Sequence, residues 1–428
     1  MKRTYVKESV YCIGETILLK GWVHRVRHLG KISFMQLKDR TGKIQCVLEG
    51  ELTGVHVSVE SAVEVQGKVV ETKQQGLGVE LLVHSLTVLN KAQMLPFETN
   101  KEELTVNLDT LLNNRVLSMR NEKIQAIFSI KAKVVSLMQE FLMREDFHQI
   151  FTPKIVAQGA EGGANVFTFD YFGQSAYLAQ SPQFYKQMMV IAGFERVFEI
   201  APVFRAEQHN SSRHLNEYTS VDVELGFIES FLDVMKVEEK LLNYVFQGLK
   251  EHCEQELSLF TTELPEVGII PSMTLAEAHK LLVTKFNKQS PDGDLDNEGE
   301  RLLGEYVKES MNSDFVFITH YQKESRPMYT MPNPDNSAIT DSFDLLYKGA
   351  EITSGGQRIH DYDMLIQSFT EKGLQPADFS SYTEAFKYGA PPHGGFAIGL
   401  ERFIVKLLNL SNVREAAEFP RDIDRLVP

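Results

Sequence analysis

Two arginines set far apart in the chain carry the first indication of chemistry. Arg205 stands at the start of Phe204–Glu224, FRAEQHNSSRHLNEYTSVDVE, which also holds a carboxylate at Glu207, a polar loop with Arg213 and His214, and a ring at Tyr218. Arg402 lies in Gly394–Phe403, GGFAIGLERF, where a glycine-rich strand leads into a helix. A guanidinium meets phosphate oxygens as a planar fork, and an aromatic face suits a purine, so these residue types fit ATP. The chain has no Gly-x-x-x-x-Gly-Lys-Ser/Thr loop and no strand-linked Gly-x-Gly-x-x-Gly, so arginines rather than a glycine-rich loop must grip the phosphates. A third segment, DLLYKGAEITSGGQR, sets Asp344, Glu351 and Ser354 about a Lys348-Gly349 turn. Hard oxygen donors of this kind suit Mg²⁺ bridging phosphates, although an acidic hairpin facing water has the same composition.

These residues need elements to hold them, and the chain is long enough to supply two or three domains. It has 428 residues, of which 43% are hydrophobic and 24% charged, as in ordinary globular proteins. From Ile17 to Leu89, strand-like runs such as ILLKGWVHRV, KISFMQLKD and KIQCVLEG alternate with turn signals, among them Asp39–Gly42, DRTG. Five short strands predict a closed β-barrel of the OB type over residues 1–90, a fold whose strand faces hold single-stranded nucleic acid. Residues 91–118 are expected to form a hinge. Apolar positions from Ile124 to Leu142 fall at helical spacing and are followed by FHQIFTPKI. Further helices are expected near 182–192, 231–256, 274–286 and 298–310, and strands at FVFITHY and on both sides of Lys348-Gly349. Strands and helices without regular βαβ alternation predict an α+β domain over 119–428, an antiparallel sheet flanked by helices.

Charge is unevenly distributed. Against a formal total of −14, residues 1–50 hold ten Lys or Arg and four acids, an excess of +6 that leaves −20 for the rest. A basic module on an acidic body fits a local polyanion contact, and equally a solvated basic face. Cys12, Cys46 and Cys253 have no metal-ligand spacing. The N-terminal MKRTYVKESV lacks an apolar leader, and no apolar run reaches membrane-spanning length, so a cytoplasmic protein is expected.

In the two arginine segments the chain resembles the second and third signature motifs of the class II aminoacyl-tRNA synthetases. The likeness extends over essentially the whole chain and is strongest to the aspartyl enzymes of the archaeal and eukaryotic type. The long helix, strand and Pro153 resemble the first motif, which implies a homodimer. By this resemblance Arg205, Glu351 and Arg402 are catalytic. Arg205 would contact the α-phosphate and the substrate carboxylate, and Glu207 would fix the adenine. Arg213 and His214 would reach the outer phosphates, and Tyr218 and Arg402 would sandwich the base. Leu215, Gly399, Leu400 and Glu401 complete the implied nucleotide site. Mg²⁺ would be held by Glu351 and Ser354, with Asp344 as a third candidate.

The resemblance also implies L-aspartate as substrate. Lys186 in QSPQFYKQ and Arg358 in Gly355–Arg358 match the cations that hold its side-chain carboxylate, with Gln183, Ser354, Arg205 and Glu161 around them. Two cations match a carboxylate, whereas a carboxamide would leave a buried cation under-paired. In the barrel, Phe34 and Gln45 match positions that stack on and hydrogen-bond an anticodon base. Relatives restricted to tRNA(Asp) carry Trp two residues after a Gly-Trp pair and Lys in a later barrel loop, whereas relaxed ones have His and Pro. Here Gly21-Trp22 is followed by His24, and Gly76 takes the second position. Gly76 is neither the strict nor the relaxed residue, but His24 in place of Trp and the absence of a lysine ammonium at 76 imply an enzyme that charges both tRNA(Asp) and tRNA(Asn). The rival readings are an asparaginyl-tRNA synthetase or a tRNA-independent asparagine synthetase, and a non-catalytic tRNA-binding paralogue.

Overall fold

The computed structural model of the chain describes residues 1–72, 78–159, 165–208 and 211–427. It divides into two compact units, Met1–Asn107 and Leu108–Pro428. In the first, β1 (Thr16–Leu29), β2 (Ile32–Asp39), β3 (Gly42–Glu49), β4 (Ala62–Glu71) and β5 (Val79–Asn90) close a barrel in the order β1-β2-β3-β5-β4. Alternation on β2 and the first half of β3 helps explain the closure. On β2 and β3, Met35, Leu37, Ile44, Cys46 and Leu48 turn inward onto Val23, Val63, Val65 and Leu81. Phe34, Gln36, Lys38, Lys43 and Gln45 lie at the intervening, more open positions. The register of β1 against β2 shifts between Val23 and Arg25, so His24 is the extra residue of a bulge, a device that bends a strand and re-aims a side chain.

The expected hinge over 91–118 is divided between the two units. Ala92 N–H donates to Ser61 Oγ (3.0 Å), Thr99 Oγ1 to Glu60 Oε1 (2.6 Å) and Asn100 Nδ2 to the His24 carbonyl (3.1 Å), which ties 91–107 to the barrel. Beyond it, α1 (Leu108–Asn113) and α2 (Arg115–Ser118) belong to the second unit. There the buried Arg115 guanidinium donates to the carbonyls of Glu415, Ala417 and Glu418. Weak periodicity hid this order because scattered side-chain hydrogen bonds, rather than an apolar stripe, tie both pieces down.

The second unit continues with α3 (Glu122–Arg144), β6 (His148–Gln149), a small sheet of β7 (Ile155–Val156), β8 (Thr168–Tyr171) and β9 (Gln174–Leu178), and α4 (Gln183–Met189). Next come β10 (Arg196–Phe204), β11 (Glu217–Gly226), α5 (Phe231–His252), α6 (Glu254–Leu257), β12 (Ser272–Thr274), α7 (Leu275–Phe286) and α8 (Asn297–Met311). The last elements are β13 (Phe315–Thr319), β14 (Ser342–Tyr347), β15 (Glu351–Arg358), α9 (Tyr362–Glu371), α10 (Ser380–Thr383), β16 (His393–Gly399) and α11 (Leu400–Leu408). Eight strands form one sheet in the order β12-β13-β14-β15-β16-β11-β10-β6. It is antiparallel except at the β12·β13 and β10·β6 edges.

Helix α3 begins at Asn121, whose side chain accepts from Lys123 and Ile124 N–H. Its Ile127, Ile130, Val134, Leu137, Met138 and Phe141 form the stripe that buries with α5 against Val221, Val223 and Leu225 of β11. The opposite side of the central strands is left to polar groups. At the Lys348-Gly349 turn (φ +46° and +65°) the backbone meets α8 so closely that a Cβ on Gly349 would lie 2.8 Å from Arg301 Cα. Gly349→Ala therefore adds a left-handed strain and a backbone clash, and should lower the unfolding free energy by about 1–3 kcal/mol. Chemical denaturation checks this; an unchanged midpoint would mean that hairpin and helix are not pressed together.

Candidate active site

A cleft of about 400 Å³ opens over the central strands of the second unit. From β10, β11 and their connection, Arg205, Glu207, Arg213, His214, Leu215 and Tyr218 line it. Gln183 and Lys186 come from α4, Glu351, Ser354 and Arg358 from β15, and Gly399, Glu401 and Arg402 from the β16–α11 junction. Arg205 lies 3.9 Å from Glu207 and 5.8 Å from the Tyr218 ring centre. Arg402 is anchored by donation to the Glu351 carbonyl at 2.9 Å. Arg213 reaches across to α8, donating to Asn297 and to Glu300 Oε2 (3.1 Å).

A bulge explains how Glu351 and Ser354, three apart on one strand, share the cleft. Register slips between Leu345 and Leu346, which pair with Thr353 and Glu351. In an unbroken strand, residues i and i+3 face opposite ways; the extra residue brings them to one side. Burial, with Asp344 and Glu300 nearby, pushes the Glu351 carboxyl up to about 7 despite Arg402 and Arg326. Burial likewise raises Glu300. Oxygen donors crowded in this way favour a hard cation. Among the described residues there is no group of three or more His, Cys, Asp or Glu side chains arranged to hold a metal ion.

Three expectations stand differently in the structure. Asp344 does not line the cleft: Arg326 lies on it, with Nη2 donating to Asp344 Oδ2 (2.7 Å) and Nη1 to Ser354 Oγ (3.0 Å). Leu400 is 1% exposed and packs in the main core. Glu401 reaches the wall, but its carboxylate accepts from Lys131 Nζ (3.0 Å) and Thr219 N–H (2.9 Å). These bonds also link α3 to β11. Glu161 and Gly76 lie outside the described residues.

At the floor, Lys186 is 1% exposed, 3.1 Å from Asp222 and 3.3 Å from Glu224. Arg358 donates Nε and Nη2 to Glu224 (3.0 and 3.3 Å), and Nη2 also to the Gly395 carbonyl (3.0 Å). Burial alone would raise the Glu224 carboxyl; Arg358 and Lys186 outweigh it and hold the group below its usual range. Only glycine fits at 395, since a Cβ there would fall on the Glu224 carboxylate. The floor is thus a neutral set of two cations and two carboxylates rather than two unpaired cations.

A model of the class II tRNA synthetases (D, K and N) matches residues 107–423, and one of OB-fold nucleic acid binding domains matches 17–89. The chain is a class II tRNA synthetase of the D, K and N group. It is 48% identical over 435 residues to the Aspartate--tRNA(Asp/Asn) ligase of Deinococcus radiodurans, covering 100% of this chain and 99% of that protein. The Aspartate--tRNA(Asp) ligase of Pyrococcus horikoshii is 42% identical over 425 residues, with 97% of each covered. Among solved structures, asparaginyl-tRNA synthetase from Pyrococcus horikoshii complexed with asparaginyl-adenylate aligns at TM-score 0.93 and 31% identity, covering 100% of both chains. Aspartyl-tRNA synthetase from Entamoeba histolytica aligns at 0.90 and 31%, covering 100% of this chain and 93% of that one.

In this synthetase the barrel places Phe34 and Gln45 on its more open face, where Gln45 Nε2 donates to Glu80 Oε2 at 2.9 Å. His24, 9% exposed, occupies the β1 bulge. Sequence reasoning missed Asp222 and Glu224 although both stand in the segment it singled out. The available signal was period two: Ser220, Asp222 and Glu224 alternate with the core residues Val221, Val223 and Leu225. It also missed Arg326 and His393. His393 is fully buried, and burial pushes its imidazole down to about 4. A histidine whose folded pKa lies below its unfolded value near 6.5 adds stability above that pH and loses it as pH falls toward about 4. Between pH 7 and 5 the wild type should lose about 2 kcal/mol more unfolding free energy than His393→Gln. Urea denaturation at the two pH values measures this; parallel losses would contradict a neutral buried imidazole.

Proposed function

We infer that this synthetase is an aspartate–tRNA ligase that serves both tRNA(Asp) and tRNA(Asn). The observation that carries the reading is the floor of the cleft. The Nη1 edge of Arg358, which donates to no described residue, presents N–H groups held in place by Glu224, while Lys186 Nζ, shared among Asp222, Glu224 and the Val223 and Phe396 carbonyls, adds positive charge beside it. A β-carboxylate accepts from Arg358 and is drawn to both charges. A carboxamide would turn its own NH₂ toward one of these donors, and an ammonium side chain would be repelled. The asparaginyl alternative shares the fold at TM-score 0.93, so side chains rather than architecture separate the two readings. Intact Arg205, Glu351 and Arg402 count against a non-catalytic paralogue.

In the first step a carboxylate oxygen of aspartate bonds to the α-phosphorus of ATP as the Pα–O–Pβ bond breaks, giving aspartyl-adenylate and pyrophosphate. In the second, a terminal ribose hydroxyl of tRNA attacks the adenylate carbonyl carbon, AMP leaves and the hydroxyl proton is lost. Arg205 neutralises the α-phosphate and the attacking carboxylate, Arg213 and His214 the outer phosphates, and Tyr218 and Arg402 hold the base, with Glu207 at its edge. Gln183 and Glu161 attend the substrate ammonium. Mg²⁺, whose bound charge would neutralise the phosphates, suits the oxygens of Glu351 and Ser354; Asp344 serves Arg326 in the structure. A homodimer and a cytoplasmic location belong to the same reading. Among the described residues no helix is long and apolar enough to cross a membrane.

Relaxed tRNA choice is supported by the names of the Deinococcus radiodurans and Thermus thermophilus relatives, both Aspartate--tRNA(Asp/Asn) ligase, and by His24 at the bulge. The test is charging of tRNA(Asp) and tRNA(Asn) transcripts with labelled aspartate. Specificity constants within about a hundredfold are expected, since one strong base contact supplies roughly 1–3 kcal/mol. A stricter preference for tRNA(Asp) would remove the relaxed reading, and His24→Trp should widen whatever gap exists. Lys186→Ala should cut aspartate use by at least about a hundredfold while ATP affinity changes little, because it leaves Asp222 and Glu224 under-paired. Unchanged aspartate kinetics would take Lys186 out of the site.

A further inference from the structure

Behind the cleft a run of buried hydrogen bonds has only one consistent polarity. His393 Nδ1 lies 2.8 Å from the Pro391 carbonyl, which can only accept, so Nδ1 carries the proton. The imidazole is neutral near pH 7, which leaves Nε2 as an acceptor, 2.9 Å from Gln187 Nε2. The Gln187 amide must then turn its NH₂ to His393 and its oxygen the other way. That oxygen accepts from Tyr382 Oη (3.1 Å) and from Gln183 Nε2 (2.9 Å). Gln187, Tyr382 and His393 are each at most 1% exposed. Gln183 and Gln187 lie four apart on α4, on one face of the helix. With its NH₂ committed inward, Gln183 has its carbonyl oxygen left for the cleft it lines.

We propose that Gln187, oriented by His393 and Tyr382, is a positioning residue that fixes Gln183 as a hydrogen-bond acceptor toward the substrate ammonium group. An amide free to flip could offer either end. Here the ring tautomer of His393, two residues removed in the chain of bonds, decides which end is offered. The site then favours an α-ammonium over a ligand without a donor at that carbon. The proposal rests on the reading of the cleft as an aspartate site.

The test is calorimetric binding to the full chain of L-aspartate and of succinate, which has both carboxylates and no ammonium. Gln187→Met, close in volume and without an amide, should weaken aspartate about tenfold or more, as expected for one hydrogen bond to a charged group, and succinate by less than about threefold. Gln187→Glu keeps an acceptor for Gln183 and should retain the wild-type ratio of the two affinities. Equal weakening of both ligands by Gln187→Met, or an unchanged ratio, would overturn the proposal and leave Gln187 a packing residue. Should Gln187→Met not fold, His393→Leu removes the far acceptor and is judged by the same ratio. If the wild type binds asparagine as tightly as aspartate, the substrate reading fails instead, whatever the variants do.

Discussion

Two cations and two carboxylates buried together at the base of the cleft constrain more of the second unit than any other contact. Lys186 comes from α4, Asp222 and Glu224 from β11, and Arg358 from β15. Gly395 of β16 gives the fifth contact. Desolvating each ion costs several kcal/mol, recovered only when geometry and remaining hydrogen bonds are good. Ser220 Oγ on Asp222 (2.6 Å) and the Gly395 carbonyl on Arg358 supply those bonds. Removing any one partner leaves a buried charge behind, so the set must assemble whole. Its assembly fixes how α4 lies on the sheet and where the donors of Lys186 and Arg358 can point.

The phosphate end of the cleft is built on a different constraint, the β15 bulge. Without it Ser354 and Glu351 would lie on opposite faces. Arg326, stacked 3.7 Å from the Tyr321 ring centre, meets both Asp344 and Ser354 from a loop that sequence patterns left unmarked. The carboxylate expected to bind a metal is thereby matched by a protein cation, while Glu351, with burial pushing it up to about 7, keeps the demand for positive charge. The pressure of α8 on the Lys348-Gly349 turn holds this hairpin in place.

Much of this was legible in the amino-acid sequence, for reasons specific to each element. The barrel alternates buried and more open residues along the whole of β2 and the first half of β3, and α3 carries a stripe dense enough to be seen at helical spacing. Arginine, glycine and aromatic residues in Phe204–Glu224 and Gly394–Phe403 marked the cleft because few other folds need that combination. Polar order was harder to read. Residues 91–118 are tied by single side-chain hydrogen bonds and by the Arg115 guanidinium, which leave no periodic trace. Asp222 and Glu224 looked like ordinary strand carboxylates until the fold set them against Lys186 and Arg358, and nothing in the spacing showed that Glu401, which lines the cleft, also meets Lys131. Partner choice among buried charges depends on distances between elements far apart in the chain, which spacing does not encode.

The central claim is that the floor of the cleft, with its donors fixed by Asp222 and Glu224, takes a β-carboxylate and refuses a β-carboxamide. Amino-acid-dependent exchange of pyrophosphate into ATP, run in parallel with aspartate and asparagine at saturating Mg²⁺, tests it directly. Exchange with aspartate should exceed that with asparagine by at least about a hundredfold in specificity constant, a difference of about 2.7 kcal/mol. Equal or faster exchange with asparagine would contradict the account.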